Sequence, residues 1–197
     1  MHIPSRIAAR LLLCCAVAAV PAFASAQDAA AKPAKPAVGT AVAPSETYGK
    51  LLGMMEKEFV DAAEAMPEDK FDFAPPATAG DFKGVRSFGA QVKHVASSNY
   101  YFFGGNMSEA DMKAKDDAIE KLTSKADIIQ ALKDSLAVAH TYVGGITAEN
   151  AFVTTEHGTR GGMASFGLAH MMDHYGQMAV YLRMNGIVPP ASRGSGM

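Results

Sequence analysis

An all-α chain folded as a four-helix bundle is the architecture this sequence predicts, on three observations. Four segments of about 16 to 22 residues each repeat apolar side chains at spacings of three and four, the helical period. None of the chain alternates convincingly with period two, as a half-buried strand would. Each of the four runs stops at a proline or a glycine, the residues that end helices.

The first run carries Leu52, Met55, Phe59, Ala62 and Met66, with Ser45 as the expected N-cap and Pro67 as the stop. Residues 67 to 86 hold Pro75, Pro76, Gly80 and Gly84 and read as an ordered loop across one end of the molecule. Ser87 caps the second run, whose apolar side carries Phe88, Val92 or Val95, and Phe102, and which ends at Gly104 and Gly105. Ser108 then opens a charge-rich stretch to about Leu122, a short helix or helical turn with little to bury. Ser124 and Asp127 resemble a capping box with Asp in place of Glu; Ile128, Leu132, Leu136, Ala139 and Val143 mark the face that follows, up to Gly144 and Gly145. Residues 146 to 162 read as loop. The last run spans about Met163 to Met184, with Gly186 closing it and Pro189 and Pro190 beyond. The two longer connections, after the first and third long helices, leave room for departures from simple up-and-down order.

Residues 1 to 26 read as a signal peptide: Arg6 and Arg10 precede the apolar run LLLCCAVAAV, and Ala24-Ser25-Ala26 gives the small-residue cleavage pattern. The expected product is exported, periplasmic or extracellular, and starts at Gln27. Both cysteines, Cys14 and Cys15, fall in the leader, so the mature chain has no disulfide, thiolate ligand or cysteine nucleophile. Its 16 basic against 20 acidic residues give a formal charge of -4, which implies no nucleic-acid surface. Residues 27 to 44 form an Ala/Pro/Lys-rich tract too poor in bulky apolar groups to offset the entropy of ordering, a flexible linker. Residues 45 to 197 form one domain with no later stretch long enough to span a bilayer. Monomer and homodimer are both left open.

The chemistry concentrates in HMMDHYGQ, residues 170 to 177. His170 and His174 lie four apart on a helix and project from one face about 6 Å apart, close enough to share an ion. His94, in the middle of the second long helix, would face the pair from across a bundle core. Three neutral imidazoles leave coordination positions open, the catalytic rather than the structural pattern for zinc; nickel, iron and manganese suit the same set. Taken singly, each histidine has a plain structural explanation as a surface or core residue. His140 reads as structural or exposed, and His157, in a Gly-rich loop with Glu156, as exposed or part of a lid. The spacing also invites the inverted H-x-x-E-H protease reading with Asp173 as the acid. That motif needs a carboxylate ligand well downstream, and no Asp or Glu follows His174.

QVKHVASSNYYFFG on the second long helix and HMMDHYGQMAVYLRMNGIVPPASR on the last together resemble the DinB-like family of four-helix metal-binding proteins, here as a secreted member. The resemblance runs from about Ser45 to Arg193. It implies His94, His170 and His174 as ligands of one divalent metal, zinc or nickel before iron or manganese. The family includes transferases and isomerases that use low-molecular-weight thiols, with many members of no known activity, and export departs from the intracellular thiol chemistry. Asp173, Gln177, Tyr181, Ser98 and Tyr101 are expected in the shell or pocket around the ligands, with Tyr101, Tyr181 and Glu156 as candidates for proton transfer and no assured general base. The expected function is a metal-dependent hydrolase or group transferase acting on a small molecule. The alternative is a non-catalytic extracytoplasmic protein that binds metal or a ligand in a stress response.

Overall fold

The computed structural model describes residues 35–194. The expected signal peptide, and the expected linker as far as residue 34, lie outside the described residues. Residues 35–37 are exposed coil, and the described residues from Val38 onward form one compact unit. It holds α1 (Pro44–Ala65), α2 (Phe88–Phe103), α3 (Glu109–Glu120), α4 (Lys125–Gly144) and α5 (Arg160–Met184).

Helix α1 packs against α4 and α5, and α2 packs against the same two. The four long helices therefore close into a ring, with α1 diagonal to α2 and α4 diagonal to α5. Each long connection joins diagonal partners and has to cross an end of the bundle, which a tight turn cannot do. Helix α3 sits on the flank of α2. Among the described residues, no helix is long and apolar enough to cross a membrane.

The apolar stripes meet inside the ring, where Leu52 and Phe59 of α1, Phe88 and Phe103 of α2, Leu132 and Leu136 of α4, and Met171, Met178 and Leu182 of α5 are buried. A polar pair lies in this core: Asn99 Nδ2 donates to Ser135 Oγ at 3.0 Å and ties α2 to α4. The end of α5 is a Schellman motif. Gly186, at φ +74°, donates to the Arg183 carbonyl at 3.0 Å and Ile187 to the Leu182 carbonyl at 2.9 Å.

Four local expectations need correction. Helix α1 starts a residue before Ser45, with Ala43 at the N-cap and Pro44 in the first turn; proline lacks only an N–H that would have no helical partner there. Asp127 does not complete a capping box through the backbone. Its carboxylate accepts from the Ser124 hydroxyl at 2.6 Å, while Ser124 Oγ accepts from the Asp127 N–H at 3.1 Å. The segment before α5 contains a small antiparallel hairpin, β1 (Thr154–Thr155) and β2 (Gly158–Thr159), too short to show a period. Helix α5 begins at Arg160 rather than Met163, because Thr159 Oγ1 accepts from the Gly162 N–H at 3.1 Å and caps it.

Two glycines of α5 predict opposite effects of the same substitution. A Cβ on Gly167 would lie 2.4 Å from Phe103 Cζ and 3.0 Å from Phe102 Cβ, whereas a Cβ on Gly176 meets nothing within 4 Å. Alanine gains about 1 kcal/mol over glycine in a helix interior; overpacking costs about 1–3 kcal/mol. Thermal unfolding should therefore show Gly176→Ala raising the midpoint and Gly167→Ala lowering it. A rise in both would mean that the Phe102–Phe103 pair does not seat on α5.

Candidate metal centre

Helices α2 and α5 are neighbours in the ring, and the edge of α2 turned to α5 carries Gln91 and His94 one turn apart. From α5, His170 and His174 face it. Candidate ligand nitrogens of His94, His170 and His174 all lie within 4.8 Å of one another. His94 Nε2 and His170 Nε2 are 3.2 Å apart, and the three ring centroids are separated by 5.0, 4.8 and 4.6 Å. Phe102 packs its ring 5.1 Å from that of His170 and braces it.

Burial depresses the basicity of all three rings. His94 is pushed down to about 4, chiefly by burial and then by the Arg86 and His170 charges, against Glu120 and Asp116. His174 is also pushed down to about 4, first by burial and then by the other two histidines, and His170 is lowered mainly by burial. At neutral pH the rings are therefore uncharged, the state in which an imidazole offers a lone pair to a metal.

A family model describing the DinB superfamily matches residues 51–178. The chain belongs to the DinB superfamily. No curated protein matches it.

The residues of this DinB-superfamily chain fit a divalent ion. Ligands at 2.0–2.1 Å on a tetrahedral ion stand roughly 3.3–3.4 Å apart, close to the 3.2 Å between the two Nε2 atoms. The two nitrogens lie at hydrogen-bond distance, so in the metal-free protein one of them can carry the shared proton, and a cation between the rings would take that proton's place.

His174 is 6% exposed, and its Nδ1 hydrogen-bonds Gln91 Oε1. Gln91 Nε2 donates to Gln177 Oε1 at 2.8 Å, and Gln177 Nε2 donates to Asp173 Oδ2 at 3.1 Å. By hydrogen bonds, Asp173 thus reaches the His174 ring through two amides. Sequence reasoning missed Gln91, the buried member of this chain. Its one signal was its place three residues before His94, on the same helix face.

Beside His94 opens a cleft of about 560 Å³, lined by α2, α3 and the hairpin. Ser98 and Tyr101 of the expected pocket are on its wall, together with His157, Glu109, Met112 and Asp116. The Tyr101 and His157 rings are 5.5 Å apart, and Ser97 Oγ donates to Asp116 at 2.6 Å. Tyr181 is placed elsewhere. Its hydroxyl donates to the Arg86 carbonyl at 3.2 Å and its ring packs against Phe73. Glu156 is exposed at the hairpin turn and is not among the cleft's lining residues. His140 is exposed on α4 with Nε2 2.5 Å from Glu56. The α3 wall escaped sequence reasoning because three of its four cleft residues, Glu109, Lys113 and Asp116, are charged, and Ile119 alone of the helix is buried.

Proposed function

We propose that this is an exported protein that binds one divalent metal through His94, His170 and His174 and acts as a hydrolase or group transferase on a small molecule. The observation that carries the metal reading is the convergence of three neutral imidazoles from two helices with no carboxylate among them. A bound ion there supplies Lewis acidity toward a donor atom of the substrate. The size of the adjoining cleft supports a small substrate rather than a polymer. Tyr101, half exposed on the cleft wall, offers a hydroxyl, and His157 offers an imidazole beside it. Ser97 is held by Asp116 and orients that wall. Export rests on the leader pattern of residues 1 to 26.

The position of Tyr181 favours the second reading, a non-catalytic extracytoplasmic protein that holds a metal or a ligand. Its hydroxyl is committed to a backbone carbonyl, which removes one of the expected proton donors. The two readings separate in a screen of small esters, amides, phosphate esters and thiol–acceptor pairs, run on metal-reconstituted protein beside His170→Ala. Turnover that vanishes in a folded His170→Ala variant establishes the enzyme. Inactivity throughout, with a small ligand found on the ion in a crystal or by mass spectrometry, favours the binding protein.

A further inference from the structure

We propose that the exposed carboxylate of Asp173 fixes which nitrogen of His174 carries the proton, acting through Gln177 and Gln91 as positioning residues. The inference deepens the metal-binding reading and rests on it for its purpose, although the geometry exists without an ion.

A carboxylate only accepts hydrogen bonds, whereas an amide has a donor end and an acceptor end. Asp173 Oδ2 accepts from Gln177 Nε2 at 3.1 Å, and this turns Gln177 Oε1 toward α2. Gln91 Nε2 donates to that oxygen at 2.8 Å, so Gln91 presents its own oxygen, Oε1, to His174 Nδ1. Facing an acceptor, Nδ1 has to be the N–H. The lone pair is left on Nε2, the nitrogen available for ligation.

The alternative polarity keeps the two inner hydrogen bonds. If both amides reverse, Gln177 Nε2 donates to Gln91 Oε1 and Gln91 Nε2 donates to His174 Nδ1, and the imidazole proton moves to Nε2, where it blocks ligation. Gln91 is 1% exposed and His174 is 6% exposed, so water has little access with which to choose between the two states. The choice is made at the solvent end, where Asp173 accepts from one amide orientation only. Asp173 also attracts a cation directly by its charge, and that effect needs no relay.

The test uses the full mature chain and two readouts. The tautomer of His174 is read in metal-free protein at neutral pH from long-range proton–nitrogen correlations of the imidazole, and zinc affinity is read by competition with a chromophoric chelator. The wild-type chain and Asp173→Glu should hold His174 as the Nδ1–H form. Asp173→Asn, which can donate, and Gln177→Met, which keeps the carboxylate but breaks the relay, should both populate the Nε2–H form and lose about 10–100-fold in zinc affinity. An unchanged Nδ1–H form in both variants overturns the relay. Loss of affinity in Asp173→Asn alone also overturns it, in favour of direct charge attraction. Wild-type protein that takes up no zinc or other divalent metal sinks the metal reading instead, and the tautomer readout still decides the relay.

Discussion

His174→Ala is expected to empty the proposed metal site. Two imidazoles remain after the substitution, one from each helix, and zinc affinity is expected to fall by more than about 100-fold, beyond the 10–100-fold typical of losing a ligand's hydrogen-bond partner. The variant has a second cost, because Gln91 Oε1 is buried and loses its partner. An unsatisfied buried polar group costs about 1–3 kcal/mol. His94→Ala takes a partner from His170 Nε2 instead, but both rings are half-buried, so water can replace it at a smaller cost. Elemental analysis should find both variants without metal, while thermal unfolding of the apo-proteins should show a drop of several degrees in His174→Ala and a smaller one in His94→Ala. Full metal retention in His94→Ala would sink the three-histidine assignment and leave only the pair on α5.

Phe103→Ala is expected to cost the fold the most. The ring is 1% exposed, rests against Gly167 of α5 and packs 5.9 Å from the Tyr142 ring of α4. It therefore joins three of the four helices of the ring. Truncating a buried phenylalanine costs about 3–5 kcal/mol, a large part of the roughly 5–15 kcal/mol that holds a domain together. For a chain of this size the thermal midpoint should fall by roughly 6–20 °C. A loss of only one or two degrees would mean that α2 and α5 are not seated as described. Gly167→Ala strains the same contact from the other side, so the double variant should deviate from additivity.

Much of this was legible in the sequence, for identifiable reasons. The long helices follow from Leu52, Phe59, Val92, Leu132 and Leu136, whose spacing is the burial pattern itself. The histidine cluster was legible because an i, i+4 pair fixes a face and a bundle needs a partner for it. Gln91 was not, because a buried glutamine has no distinguishing pattern until its partners are placed. The start of α5 was obscured by Gly161 and Gly162, which read as loop. Gly161 instead suits a tight approach: a Cβ there would lie 3.1 Å from the Ala151 carbonyl oxygen and 3.1 Å from the Tyr48 hydroxyl. The cleft wall of α3 was hidden because Glu109, Lys113 and Asp116 look like any solvated helix surface.

The ring order of the helices has a consequence for how the protein reaches its native state. His94 and His170 are 76 residues apart in the chain, and α5 fills the place between α1 and α2. No local fragment can therefore assemble the ligand set, and the long loop must be closed before any two of its helices can share an ion. Closing it is an entropic cost that slows folding. On the proposed metal reading, uptake belongs to the end of folding, when α5 docks, and the ion would lock a completed bundle rather than template a nascent one.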